Sequence, residues 1–155
     1  MDGILLADDI TFNGSAIDSA NLWTSQAGPD GPTSLSFTLS ISDPVYMPGT
    51  AERPESARIS MSVEAQVRDD GDPQAERVIL SISANGSFNI NKRFDDPAEK
   101  VAAVRSLACK VLYPQLQTYM AMISSLSVAG RIDMPPVNVD SLAENLNPEV
   151  IATTQ

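Results

Sequence analysis

The sequence contains no histidine. That removes catalytic triads built on an imidazole base, zinc sites with imidazole ligands and the usual switch near neutral pH. Cysteine is nearly absent: Cys109 stands alone, so no disulfide can form within the chain, and a buried, small apolar role is expected for it. Basic residues are outnumbered, 10 against 20 acidic, giving a formal charge of −10 and a pI near 4.2. A nucleic acid or an anionic membrane surface calls for the opposite sign. Residues 1–52 hold no Lys or Arg at all, although Asp2, Asp8, Asp9, Asp18, Asp30, Asp43 and Glu52 lie there, so the start does not read as a secretory or mitochondrial address. No apolar run reaches membrane-spanning length. Nor does a pair of carboxylates sit on an apolar ground that would tune one of them for acid–base work. "DDGD" at 69–72 lacks the ligand spacing of a calcium loop and reads as a turn; "NGS" at 85–87 falls in a predicted strand, not in a glycosylated loop. The expectation is a cytoplasmic protein that is not an enzyme, with no cofactor, no metal, no nucleic-acid partner and no membrane insertion.

What is present is a clear change of period. Hydrophobic residues make up 43% of the chain, enough for one domain over 1–155 with one core. Residues 1–91 read as strands. "LSFTLSI" at 35–41, "ARISMSVEAQV" at 57–67 and 77–91 all alternate apolar with Ser, Thr or Asn, the mark of an antiparallel sheet covered on one face. "RDDGDPQAE" at 68–76 supplies a hairpin turn, and a first strand is expected at 4–14. Between the first two strands, residues around Trp23, Gly28, Pro29, Gly31 and Pro32 read as a long loop. Four strands with one long connection predict a Greek-key-like sheet.

From 95 to 130 the pattern is helical. Asp96 is placed to cap, Pro97 to occupy the first turn and Glu99 to close a capping box, while Gly130 suits the other end. The span predicts a helix of about 50 Å, kinked at Pro114. Val101, Val104, Ala108 and Val111, then Leu112, Leu116, Tyr119, Ile123 and Leu126, make its apolar stripe. A proline elbow follows at 131–137, a short helix at 138–147 and a frayed tail at 148–155. The fold class is therefore α+β. The long helix carries small or apolar residues beyond its stripe. Leu116, Met120, Ala121, Ser124, Ser125 and Val128 are assigned to a subunit interface, hence a homo-oligomer. Met120, Met122 and Met134 suit either an adaptable surface or ordinary packing. Tyr113 and Tyr119 are expected in the core.

This order of elements resembles the SecB export chaperones. "LYPQLQTYMAMISSLSVAGRIDMPPVNVDSL" at 112–142 carries most of the likeness, with the Tyr-Pro step at Pro114 and the elbow at Pro136 twenty-two residues apart. "ADDITFNG" at 7–14 and "NGSFNI" at 85–90 are similar to two further family segments. The resemblance implies a homotetramer, a dimer of dimers, that holds unfolded preproteins in apolar grooves without ATP and passes them to the translocase motor SecA. Client-binding residues on this reading are Leu22, Trp23, Leu35, Met134, Val137, Val139, Leu142 and Leu146. The motor-facing positions correspond to Asp9, Asn13, Ile79 and Ser81. Two of them, Asn13 and Ser81, lack the family's carboxylates. The alternative function is a dedicated SecB-like chaperone for one partner, such as an antitoxin, with no delivery to SecA.

Overall fold

The computed structural model describes residues 9–24, 33–69, 72–126, 131–137 and 149–154. These form β1 (Ile10–Thr24), β2 (Thr33–Ile41), β3 (Val45–Met47), β4 (Glu55–Asp69), β5 (Asp72–Ile90), α1 (Pro97–Ser124) and β6 (Glu149–Thr154). The short helix expected at 138–147, with Val139, Leu142 and Leu146, lies outside the described residues. So do Val128 and Gly130.

Alternation builds the sheet. β4 buries Ala57, Ile59, Met61, Val63, Ala65 and Val67; β5 buries Leu80, Ile82, Ala84, Phe88 and Ile90; β2 buries Leu35, Phe37 and Leu39. The residues between them are almost all polar, so one face is core and the other a carpet of serine, threonine and asparagine. The strand order is β1-β5-β4-β2-β6, all antiparallel, with β3 paired onto β4. β2, β4 and β5 follow in order along the chain, with only the short β3 between the first two, and β1 returns beside β5, which is the Greek-key order. The α+β class is as expected, but the described residues hold six strands where four were predicted. β3 is too short to show a period. β6, in the stretch expected to fray, pairs with β2 from Ser34 to Leu39. The predicted 68–76 turn is also shorter, because β4 runs to Asp69 and β5 starts at Asp72.

β1 is the larger correction. Residues 15–24 are strand, not loop. The register against β5 shifts by one extra residue at Asn13 and again at Asp18. The row facing the core therefore runs Ile10, Phe12, Ser15, Ile17, Ala20 and Leu22, opposite Ile90, Phe88, Gly86, Ala84, Ile82 and Leu80. Two bulges turn a period of two into steps of two and three, and the alternation disappears from the sequence.

α1 starts as predicted. The Asp96 carboxylate accepts from the Ala98 N–H at 3.0 Å, and Pro97 occupies the first turn. The helix continues unbroken through Pro114 and ends at Ser124, six residues before Gly130, so it is about 42 Å long. It lies across β4, β5 and β1. Gly86 marks the closest approach: a Cβ there would come within 2.9 Å of the Phe88 ring and 3.3 Å of Leu112. Lys100 pairs with Glu55 at 2.7 Å and Arg105 with Asp43, tying the first half of the helix to the β3–β4 end of the sheet.

The buried line on α1 is Val104, Ala108, Leu112, Leu116, Met120 and Ser124, a constant step of four. At 3.6 residues per turn each step drifts by about 40°, so the buried face rotates by about 200° along the helix. Its beginning faces the sheet; its end faces the chain returning from the elbow. The expected line through Tyr119 and Leu126 points elsewhere. Leu126 is 84% exposed, and Tyr119 is at the surface, not in the core.

Candidate functional site

The returning segment, 131–137, is stitched to the second half of α1 by polar side chains of the helix. The Ser124 hydroxyl accepts from the Ile132 N–H at 2.7 Å. The Gln117 amide donates to the Met134 and Pro135 carbonyls at 3.4 and 3.5 Å, and the Tyr113 hydroxyl donates to the Pro135 carbonyl. Ile132 and Met134 are buried, and Val137 packs against the core. Proline gives this segment its elbow, because Pro135 and Pro136 offer no N–H and cannot extend a helix.

Beside this seam lies an open cleft of about 520 Å³, lined by Gln117, Thr118, Ala121, Met122, Ser125, Arg131, Asp133 and Met134. Its rim is polar, with the Arg131 guanidinium donating to Asp133 at 2.7 Å. Met122 supplies exposed thioether surface that adapts to varied shapes, above the buried Met134. Next to the cleft, Tyr119, Met122 and Leu126 expose a stripe at helical spacing. A second exposed apolar group lies at the far end of β1, where Trp23 is 53% exposed opposite Ile79 and Leu22 stands opposite Leu80.

Three titratable groups near the helix, Cys109, Tyr113 and Tyr46, are held in their neutral forms. Burial pushes the Cys109 thiol up to about 11, against the opposing pull of the Arg105 charge, so it is a protonated thiol at neutral pH. Burial likewise pushes Tyr113 up to about 12. Tyr46 is raised by burial first and by the Glu55 charge second, with Arg105 opposing. Among the described residues no group of three His, Cys, Asp or Glu could hold a metal, and no helix is long and apolar enough to cross a membrane.

The sequence-assigned residues separate into distinct places. Met134 and Val137 sit at the seam, and Leu22 and Trp23 at the β1 edge, on opposite faces of the sheet. Leu35 is core, in one row with Phe37 and Leu39, so it offers no surface. Of the interface set, Leu116, Met120 and Ser124 are enclosed within the single chain; only Ala121 and Ser125 reach the cleft. Their spacing suggested a second chain, but they are buried within the chain itself, Leu116 and Met120 in its core and Ser124 against Ile132. Asp9, at the Asn91 end of β5, is about 30 Å along the strand from Ser81 and about 40 Å from Ile79, and Asn13 sits in the first bulge. These four do not form one patch. Sequence reasoning left Met122 open between surface and packing, and missed Tyr119 and Leu126 as surface and the Tyr113–Gln117–Ser124 ladder. The ladder had a signal: three hydrogen-bonding side chains on the phase of an otherwise apolar helix face.

The chain folds like a known chaperone. The SecB-like chaperone of Mycobacterium tuberculosis, solved in complex with a ChAD peptide from the HigA1 antitoxin, superposes with a TM-score of 0.62 at 12% identity, over 84% of this chain and 91% of that one.

The fold is SecB-like.

A Streptococcus agalactiae protein of unknown function is also similar, at a TM-score of 0.45 and 11% identity, over 84% of this chain and 99% of that one. No family model matches the sequence, and no curated protein matches it. The SecB-like elements in hand are the Greek-key sheet, the long helix across it and the proline elbow that doubles back.

Proposed function

We propose that the chain is an ATP-independent chaperone that holds extended, non-native polypeptide on apolar surface and performs no covalent chemistry. The observation that carries this reading is the SecB-like fold with its methionine-lined cleft and open Tyr119–Met122–Leu126 stripe left uncovered beside the elbow. Exposed apolar patches rimmed by polar groups are the usual mark of a polypeptide-binding surface. The cleft and the Trp23 edge take the client; the stripe joins subunits in a homotetramer, a dimer of dimers; several weak client contacts then add through avidity. The compartment is the cytoplasm. Because Asn13 and Ser81 carry no charge and lie far apart, the role is holding, without delivery to SecA.

The client range has a second reading. The similar M. tuberculosis chaperone was solved with an antitoxin peptide, which favours a single dedicated partner. Light scattering on the purified protein should give a particle of four 16.5 kDa chains. The protein should also suppress aggregation of several unrelated denatured proteins. Protection of one genetically linked partner only would select the dedicated reading, and protection of none would refute both.

A further inference from the structure

The sequence holds two Asn-Gly steps, Asn13–Gly14 and Asn85–Gly86, and the fold gives them opposite surroundings. Asn85 and Gly86 lie on β5, an interior strand. Asn85 stands between Ser60 of β4 and Ala16 of β1, and Gly86 between Ile59 and Ser15. Backbone in that position is bonded on both sides and held extended. The Asn85 side-chain carbonyl accepts from the Ser60 hydroxyl, and Gly86 is closed in by Phe88 and Leu112. Asn13 and Gly14 lie on β1, which among the described strands pairs with β5 alone. Asn13 is the extra residue of the first bulge, so no residue of β5 stands opposite it, and it is exposed. At Gly14 a Cβ would meet nothing within 4 Å.

We infer that Asn13 is a self-modification site, where the side-chain amide converts to a carboxylate without an enzyme, while the sheet keeps Asn85 intact. The Gly14 backbone nitrogen attacks the Asn13 side-chain carbonyl carbon. A new C–N bond closes a succinimide ring; the bond to the side-chain amide nitrogen breaks, and that nitrogen leaves as ammonia with the proton from Gly14. Water then opens the ring at either carbonyl, giving aspartate or isoaspartate with no change of oxidation state. Ring closure requires the backbone between the two residues to leave the extended form. A bulge at an open border permits that turn, and glycine brings no side chain into the closing ring. On β5 the same turn would break bonds to two neighbouring strands. Exposure is not enough: Asn21, also exposed on β1, is followed by Leu22, whose side chain crowds the ring. The product adds a negative charge to the β1 border, which already carries the exposed Asp18, and isoaspartate also lengthens the backbone of the bulge. A charged border is less open to strand addition, so its protection grows with the age of the molecule. This chemistry does not depend on the holdase reading.

The test follows the full-length protein in mildly alkaline buffer at physiological temperature, folded and in urea, by peptide mapping with tandem mass spectrometry. Conversion is read at each asparagine as replacement of the amide nitrogen by oxygen, with heavy oxygen from labelled water marking the hydrolysis step. In the folded protein Asn13 should convert at least about tenfold faster than Asn85 or Asn21. In urea Asn13 and Asn85 should converge to within about twofold, because the same Asn-Gly step then has the same freedom. Gly14→Ala, for which the strand leaves room, should slow Asn13 at least about tenfold in the folded protein and leave Asn85 unchanged. Equal rates at Asn13 and Asn85 in the folded protein, an Asn13 rate matched by Asn21, or a rate indifferent to Gly14→Ala would each overturn the inference. So would an Asn13 that stays intact when folded while both sites convert in urea, since β1 would then protect it as β5 protects Asn85. Failure of the two sites to converge in urea would mean that neighbouring residues, and not the fold, set the difference, which also overturns it. If Gly14→Ala does not fold, the comparison of folded and unfolded unmodified chain still decides.

Discussion

Ser124 and Ile132, eight residues apart, are both buried and hold each other: the serine hydroxyl accepts the isoleucine N–H at 2.7 Å and lies 3.4 Å from the isoleucine carbonyl. The last residue of α1 thereby fixes the chain that doubles back from the elbow. Ser124→Ala leaves a buried N–H without its acceptor, a loss of about 1–3 kcal/mol. Urea titration should show a lower midpoint with an unchanged slope.

Gly86 sits under Leu112 and beside Phe88, both fully buried. Gly86→Ala forces the Phe88 ring or the helix outward and should cost about 1–3 kcal/mol. The neighbouring Ala84→Gly leaves no such clash, so thermal melts of the two variants separate crowding from strand propensity.

Alkali should destabilise the fold through Tyr113 and Cys109. Both are held above their ordinary values, at about 12 and about 11 against 10.0 and 9.0. A raised native value means that the unfolded chain releases its proton first. The stability is complete below pH 9, and is lost from pH 9 to 11 for the thiol and from pH 10 to 12 for the phenol. Tyr113→Phe removes the phenol's share, so its stability should fall less steeply above pH 10 in denaturant titrations, despite a lower starting value from the lost bond to Pro135.

Met122 and Leu126 are exposed, at 59% and 84%. Met122→Glu/Leu126→Glu should change chain stability by less than about 0.5 kcal/mol each. The same double variant should reduce particle mass below four chains in light scattering, because it sets like charges into the proposed subunit contact.

The parts of the fold legible in the sequence are those where a single period persists. β2, β4 up to Val67 and β5 from Val78 alternate without interruption, and the Asp96–Pro97 start of α1 is purely local chemistry. β1 was hidden because the extra residues at Asn13 and Asp18 reset its phase twice. β6 was hidden because its pairing is carried by backbone more than by pattern. The candidate site was less legible for a different reason. An apolar residue such as Met120 or Leu116 signals that it is covered, but periodicity cannot tell whether a partner or the same chain covers it. Here both are buried in the core of the single chain, and the surface moves to Tyr119, Met122 and Leu126.

The two bulges of β1 bear on self-protection. A protein that handles aggregation-prone strands is exposed to the hazard it manages, since a straight open edge templates further strands and, in the end, fibrils. Among the described strands the sheet has two long borders, β1 and β6, beside the three-residue β3. Along β1 the inserted Asn13 and Asp18 throw an incoming ladder out of step. Asp18 also sets a charge on that border. With β6 lying along β2, neither border presents a long regular template, so sticky chains can be held without seeding growth on their holder.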